Sequence, residues 1–425
     1  MQLVKVQLIK TSSEAYGQVI ILGSKSISNR VLLIRELSKS TCLIDNLSSS
    51  DDTKRLQLYI NMISECGKSG IPMIIDANNA GTVSRFLSAF LIYREGTWLV
   101  TGNERMKERP IAGLVDGLRL LNAKINYTDK EGYLPILIKG NDVKGGSIDV
   151  DVSESSQFIS AIMMIGPYLY EGLKIRFKGK PVSLPYIEMT QKLMQKFGAY
   201  VELNQDGVHI LNGKYQFHQC AVESDWSSAS YWYETVALAD KAEINISGLF
   251  KNSLQGDSIL TDVYEQLGVV TTFNVDGITI SKTGKINDNF SFDFEGCPDI
   301  VPAVMATCAA LGIKSTFKNI AHLAFKESNR IKALSKELKK IGAALNKKGS
   351  SYLLSPNKYK ANKELVFNTH DDHRIAMCLA PLVLKYNTIE ICSPDVVNKS
   401  YPGFWKELKK LNFAKLNNTY ESEGS

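Results

Sequence analysis

An α/β protein built from six copies of one supersecondary unit, grouped as two three-unit domains, is the fold class that this 425-residue sequence predicts. Three observations point to it. Helix-like stretches headed by small or polar residues begin at Ser24, Gly81, Ser155, Ser227, Asp299 and Asp372; after a first interval of 57 residues the starts lie 74, 72, 72 and 73 residues apart. A second, amphipathic stretch follows each, commonly with proline at its start and glycine or asparagine at its end. Several of these lead into short alternating runs that read as strands. The length suits two or three domains with substantial cores.

In chain order, residues 1–10 alternate apolar and polar side chains and read as a strand. The apolar run 19–22 reads as another, feeding a turn at Gly23 and a helix over 24–37. The spacing predicts the remaining head helices over 81–93, 155–169, 227–239, 299–311 and 372–384. The second helices are expected over 51–67, 110–122, 185–198, 257–268, 327–342 and 402–412. Residues 124–127, 200–203 and 269–273 read as strands, so each unit is expected to run strand, helix, strand, helix and paired strands. The tail 417–425 is polar and reads as frayed.

Composition narrows the class. Hydrophobic residues make up 44% and charged residues 22%, as in soluble globular proteins. Fifty basic against forty-four acidic side chains leave a net charge of +6, but the lysines are mixed with glutamates, as in Lys336-Glu337-Leu338-Lys339-Lys340. That pattern is a solvated helix face and not a nucleic-acid stripe, so no nucleic-acid partner is expected. The seven cysteines (42, 66, 220, 297, 308, 378 and 392) form no Cys-x-x-Cys pair, which suggests reduced thiols in an intracellular protein. The N-terminus lacks a signal-peptide core, and apolar stretches such as 375–384 fall short of the roughly 18 to 20 residues that span a bilayer. A cytoplasmic protein without a membrane partner is expected.

Chemistry concentrates at the heads of the helices. Gly23-Ser24-Lys25-Ser26-Ile27-Ser28-Asn29-Arg30 would place backbone N–H groups, three hydroxyls and two cations around a helix N-terminus, a combination suited to a phosphate or carboxylate. On this stretch alone, Ser24, Ser26 and Ser28 read equally well as caps. A nucleotide P-loop is excluded because Gly17 and Gly23 enclose five residues and Ser24 separates Gly23 from Lys25. Comparable polar clusters stand at Asn79-Ala80-Gly81-Thr82, Arg105-Met106-Lys107-Glu108-Arg109-Pro110, Ser155-Ser156-Gln157, Lys326-Glu327-Ser328-Asn329-Arg330, Asp371-Asp372-His373-Arg374 and Asn398-Lys399-Ser400. Together they put Lys25, Arg30, Arg109, Lys326, Arg330, Arg374 and Lys399 near helix starts, where the dipole also favours anions. Substrates carrying several negative charges would suit that convergence.

Six of these motifs, 23–30, 79–82, 105–111, 155–158, 326–330 and 372–377, the last extended by Ala376-Met377, occur in the order in which the EPSP synthases (3-phosphoshikimate 1-carboxyvinyltransferases) carry them, and they cover nearly the whole chain. The sequence resembles that enolpyruvyl transferase family. The resemblance implies the enolpyruvyl transferase fold: two domains, each of three βαβαββ repeats about a pseudo-threefold axis, with the active site in the interdomain cleft. It assigns the N-terminal strand to the C-terminal half, giving one domain of residues 1–20 with 226–425 and another of 21–225. The activity implied is transfer of the enolpyruvyl group of phosphoenolpyruvate to the 5-hydroxyl of shikimate 3-phosphate with release of phosphate, by a monomer, without metal or other cofactor.

Carried over position by position, the resemblance assigns shikimate 3-phosphate to Lys25, Ser26, Arg30, Ser155, Ser156, Gln157, Ser183, Asp299, His322 and Lys326. It assigns phosphoenolpyruvate to Lys25, Gly81, Arg109, Gln157, Arg330, Arg374 and Lys399. Proton transfer falls to Asp299 and Glu327, with Lys25 beside them. Guanidinium forks suit carboxylate and phosphate, and glycine at 81 would let backbone N–H groups approach an anion. The chain departs from the family pattern at Leu22 and Phe86, where proline is common, at Asn329 in place of aspartate, and at His322, where asparagine is frequent.

The alternative within the family is the paralogue acting on UDP-N-acetylglucosamine, which opens with Gly-Ala-Lys-Asn and carries a cysteine before its Arg-Pro motif. Gly23-Ser24-Lys25-Ser26 and the cysteine-free stretch 105–110 speak against it. His370-Asp371-Asp372-His373 invites a metal reading, but adjacent residues on a turn rarely point at one ion. A basic binding module would need aromatic residues interleaved with its cations, which the clusters lack. Cys297 and Cys378 read as packing thiols, Ser227, Ser228 and Ser230 as caps and close-packing residues, and Asp51 and Asp52 as first-turn acids.

Overall fold

The computed structural model describes residues 2–65, 71–356 and 365–421. The chain forms two compact units: Met1–Gly23 with Glu223–Ser425, here unit 1, and Ser24–Val222, unit 2. The head helices are Lys25–Leu37, Gly81–Leu91 and Ser156–Ile165 in unit 2 and Trp226–Leu238, Val301–Leu311 and His373–Leu379 in unit 1. They form the centre of each unit. Every residue of Gly81–Leu91, Trp226–Leu238 and His373–Leu379 is buried. Side chains such as Phe90 and Leu91 each contribute roughly 1.5 to 3 kcal/mol by leaving water. The second helices, such as Asp51–Glu65 and Arg330–Lys339, are buried on one face only. Residues 66 and 67 of the first of these, Cys66 among them, lie outside the described residues.

The closing glycines and asparagines seen in the sequence do the work of helix termination. Asn122 (φ 68°) and Gly198 (φ 87°) adopt the left-handed conformation just past the helices Ala112–Leu120 and Leu184–Lys196, turning the chain back towards the sheet.

Among the described residues the strands form five four-stranded sheets and one two-stranded sheet. The four-stranded sheets share one order. Lys124–Tyr127 and Ile136–Lys139 make a hairpin, Thr97–Thr101 runs antiparallel to its second strand, and Met73–Asp76 lies parallel to Thr97–Thr101 at the edge, with Ile74 opposite Leu99 and Leu99 opposite Leu137. In this second repeat the strand before the head helix therefore pairs with the strand after it, and the hairpin follows the second helix. One face of each sheet is buried: in Lys241–Ser247, Ala242, Ile244 and Ile246 point inward while Lys241, Glu243, Asn245 and Ser247 point to solvent.

The N-terminal strands complete unit 1. Gln2–Lys10 pairs antiparallel with both Thr388–Cys392 and Ala414–Glu421, taking the place that the second hairpin strand holds in the other four-stranded sheets. Residues 417–421 are therefore a strand and not a frayed tail, because ladder partners and not side-chain polarity decide their state, as Gln7 opposite Asn417 shows; residues 422–425 of the expected tail lie outside the described residues. Glu14–Val19, which precedes the first head helix, lies parallel to Lys241–Ser247 in the sheet of the fourth repeat. Cys220–Ala221, which precedes the fourth head helix, lies parallel to Ile44–Asp45 in the first. The two leading strands are exchanged, which is why the chain crosses between units twice.

Among the described residues the first repeat also has no hairpin: Asp51–Glu65 is followed by Met73–Asp76, already the leading strand of the second repeat. That missing element accounts for the short interval of 57 residues. It corrects the expectation that all six units carry paired strands. The strand ahead of the first head helix also ends at Val19, three residues earlier than the apolar run.

Candidate active site

In unit 2 the geometry centres on Gly81, the first residue of its helix. A Cβ added there would lie 2.3 Å from Arg85 Nη1, 2.9 Å from Arg109 Nη2 and 3.1 Å from Gln157 Oε1. Glycine is what allows two guanidinium groups to close over a helix N-terminus. Two cations crowded at the positive end of a dipole make a site preorganised for an anion. Arg85 Nη1 donates to Gln157 Oε1 at 2.9 Å, and its guanidinium lies 5.4 Å from the centre of the Phe158 ring. Arg109 Nη1 donates to the backbone and side-chain oxygens of Asn79, each at 3.4 Å. Ser155 caps the next head helix by accepting the Gln157 N–H at 3.3 Å; Ser156 is buried in its first turn, and Ser183 is buried at the N-cap of Leu184–Lys196 with φ 57°.

Ser24 caps the first head helix. Lys25 Nζ lies 3.1 Å from Asp52 Oδ2, so this first-turn acid pairs with the lysine. Arg30 is buried against neutral oxygens. Its Nε donates to Thr190 Oγ1 (2.7 Å), Nη1 to the Ser26 carbonyl (2.9 Å), and Nη2 to Ser160 Oγ (3.0 Å) and the Tyr186 carbonyl (3.3 Å). These partners are all neutral oxygens, so no carboxylate among the described residues offsets its desolvation, and burial lowers its pKa to about 10. It contributes positive potential from beneath the helix head. Asn29 joins three helices, donating to Thr82 Oγ1 at 2.7 Å and accepting from Thr53 Oγ1 at 2.8 Å.

In unit 1 one guanidinium gathers three carboxylates. Arg330, 1% exposed, donates from Nη1 to Asp299 Oδ1 (3.0 Å), from Nη2 to Glu327 Oε2 (2.6 Å) and from Nε to Asp372 Oδ2 (2.9 Å). Burial opposes its charge, but Asp372, Glu327 and Asp299 hold its pKa above the ordinary value. Asp372 also accepts the Ser328 hydroxyl at 3.0 Å and, as N-cap of its helix, the Arg374 N–H at 3.0 Å. The second oxygen of Asp299 meets Arg374 Nη2 at 2.9 Å, and that of Glu327 lies 3.7 Å from Lys399 Nζ. Burial alone would raise Asp299, yet Arg374, Lys326 and Arg330 outweigh it and hold the carboxyl far below its usual range. His322 Nε2 is buried without a hydrogen-bond partner among the described residues; burial, with Lys326 next, lowers that imidazole to about 4, so it is neutral at pH 7.

The family model described as EPSP synthase (3-phosphoshikimate 1-carboxyvinyltransferase) matches residues 9–408. A 3-phosphoshikimate 1-carboxyvinyltransferase of Bacteroides fragilis (strain YCH46) is 41% identical over 409 residues, covering 96% of this chain and 98% of that protein. The chain belongs to the EPSP synthase family. A relative of the same description from Sulfurovum sp. (strain NBC37-1) is 35% identical over 417 residues, covering 93% of this chain and 96% of its own. The structure of an EPSP synthase from Acinetobacter baumannii shares the fold with a TM-score of 0.76 at 20% identity, covering 97% of this chain and 100% of that one.

Within this EPSP synthase-family chain, unit 2 brings Gly81, Arg109 and Gln157 together, and unit 1 brings Asp299, Glu327, Arg330, Arg374 and Lys399 together, with Lys326 acting on Asp299. Residues outside the sequence-derived set also belong to these clusters. Arg85 was legible, since position i+4 from Gly81 shares its helix face. Asp372 and Asp52 look like ordinary caps or first-turn acids in the sequence, and only the fold shows their guanidinium and ammonium partners. His370 Nε2 lies 2.7 Å from Glu337 Oε1 while Asp372 binds Arg330, so the His370 to His373 turn sends its side chains to different partners. Cys297 and Cys378 are buried, and burial pushes both thiols up.

Proposed function

We infer that the chain transfers the enolpyruvyl group of phosphoenolpyruvate to the 5-hydroxyl of shikimate 3-phosphate, releasing phosphate, as a transferase of the shikimate pathway. Two carboxylates held by one guanidinium, Asp299 and Glu327 on Arg330, carry the reading, because this addition–elimination must both remove and deliver a proton. We propose Asp299, Glu327 and Lys25 for those transfers. Asp299 stays ionised among its cations and so is suited to orient the hydroxyl; those same cations weaken it as a base, and it would gain basicity for the hydroxyl proton as anionic substrates take them up. Glu327 shares its oxygens between Arg330 and Lys399, whose displacement by an anionic substrate would free it.

Phosphoenolpyruvate is assigned to Lys25, Gly81, Arg109, Gln157, Arg330, Arg374 and Lys399. Shikimate 3-phosphate is assigned to Lys25, Ser26, Arg30, Ser155, Ser156, Gln157, Ser183, Asp299, His322 and Lys326. Arg30 is proposed to act by potential, since its donors are spent on Thr190, Ser160 and carbonyls. Preorganised charge would supply most of the rate enhancement. Among the described residues no helix is long and apolar enough to cross a membrane; a cytoplasmic monomer that binds no nucleic acid is part of the proposal.

The test is phosphate release from phosphoenolpyruvate with and without shikimate 3-phosphate, beside Glu327→Gln. Release should require both substrates, and the variant should lose roughly 100- to 10,000-fold in kcat while still binding them. Absence of release with both substrates refutes the reading.

A further inference from the structure

Asp257 lies in the short turn Gly256–Ile259 of unit 1 with 3% of its surface exposed. Its Oδ2 accepts the Ser227 hydroxyl, while its Oδ1 is buried and has no hydrogen-bond partner among the described residues. Ser227 stands in the first turn of Trp226–Leu238, whose N-cap Asp225 accepts the Ser227 N–H at 2.9 Å. The charged and titratable groups facing Asp257 are Asp299 from the segment ahead of Val301–Leu311, Arg374 from the head of His373–Leu379, Asp225, and the Cys297 thiol.

Three acids of the ion-paired cluster are differently supplied. Asp299 has a guanidinium on each oxygen, Glu327 has Arg330 and Lys399, and Asp372 has Arg330, a hydroxyl and a backbone N–H. A buried carboxylate with one neutral donor and one open oxygen keeps its desolvation cost uncompensated, so the neutral acid is the favoured form. Burial first, and the charge of Asp299 second, push the Asp257 carboxyl up to about 7.

We propose that Asp257 sets the net charge of the unit 1 carboxylate–guanidinium cluster and, through it, the affinity of that cluster for its anionic substrate. Within the cluster itself, Lys326, Arg330, Arg374 and Lys399 stand against Asp299, Glu327 and Asp372; a neutral Asp257 leaves one positive charge in excess there, and an ionised Asp257 cancels it. Asp225, which caps Trp226–Leu238, lies outside these ion pairs and is common to the wild type and its variants. Asp257 acts through Asp299 and Arg374 and is a positioning residue. The inference rests on the assignment of this cluster to phosphoenolpyruvate.

The experiment compares KM for phosphoenolpyruvate in the wild type and Asp257→Asn from about pH 6 to about pH 9. The ratio of the two cancels titration of the substrate itself. It should climb about tenfold across the range as the wild type loses its excess charge, with the kcat ratio nearly flat. A KM ratio independent of pH overturns the proposal. Inorganic sulfate, whose charge is constant over this range, gives an arm that needs no turnover: its thermal stabilisation of the wild type should weaken with rising pH while that of Asp257→Asn does not. No stabilisation of the wild type, or the same pH dependence in both proteins, overturns the proposal. Absent turnover in the wild type refutes the enzymatic reading while the sulfate arm still reports the cluster. If Asp257→Asn folds poorly, Ser227→Ala removes the hydroxyl that favours the ionised carboxyl and should move the wild-type rise to higher pH; an unmoved rise counts against it.

Discussion

Arg330 and Asp299 meet at 3.0 Å with the arginine only 1% exposed, and the same guanidinium holds Glu327 and Asp372. Removing it leaves three carboxylates facing fewer cations in a poorly solvated region. Arg330→Met should therefore destabilise unit 1 by about 3 to 5 kcal/mol, besides abolishing turnover. Arg330→Lys keeps the charge but cannot reach three acids with one fork, and should fall between. Urea midpoints at unchanged m-value would measure both; a variant as stable as the wild type contradicts the account.

Gly81→Ala tests the second cluster. The added Cβ meets the ends of Arg85, Arg109 and Gln157, which are movable, and no backbone atom is among its nearest contacts. Folding stability should change by less than about 1 kcal/mol, as for a substitution that meets only movable groups. Displaced guanidinium groups should instead raise KM for phosphoenolpyruvate about tenfold or more, with a smaller effect on kcat. A large loss of stability with unchanged KM would mean that Gly81 serves packing alone.

Asn29 lies inside the sequence motif that suggested an anion cradle, yet its side chain spans Thr82 and Thr53 and is buried. Asn29→Ala should strand two hydroxyls and cost about 1 to 3 kcal/mol. Thermal unfolding should show the loss, with KM values near those of the wild type; a KM effect without a stability effect would place Asn29 in binding.

Asn29 and Arg30 show where sequence reading stops. Glycine and proline punctuation and the repeat period reveal the helices because those signals are local. The heads of the helices mark Gly81, Arg109, Arg330 and Arg374 as candidates because cations near the positive end of a helix dipole need a reason beyond the helix itself. Whether a motif side chain turns towards ligand or core depends on partners far along the chain: Thr190 and Ser160 for Arg30, Asp299 and Arg374 for Asp257. The exchange of Glu14–Val19 and Cys220–Ala221 is invisible for the same reason, since strand pairing is long-range. The polar sequence of 417–421 hides a strand that is set by its backbone ladder with Gln2–Lys10.

Glu234 offers a test of the core itself. It lies in the fully buried helix Trp226–Leu238, both its carboxyl oxygens lack hydrogen-bond partners among the described residues, and burial raises its pKa well above 4.5. Its titratable neighbours are Tyr264, which bonds Thr307 at 2.9 Å, and the thiols of Cys308 and Cys378. The folded protein keeps this group protonated while the unfolded chain ionises it from about pH 4.3 upward. A raised folded value means that the stability present below the unfolded value is lost as pH rises, at up to about 1.4 kcal/mol per unit. Glu234→Gln removes the titration but keeps the size. Its stability should match the wild type near pH 4.5 and exceed it increasingly towards pH 7, with the gap widening by about 1 kcal/mol per unit. Urea midpoints that run parallel for the two proteins over that range would show that Glu234 has a charged or solvated partner in the folded state, and would overturn this account of the core.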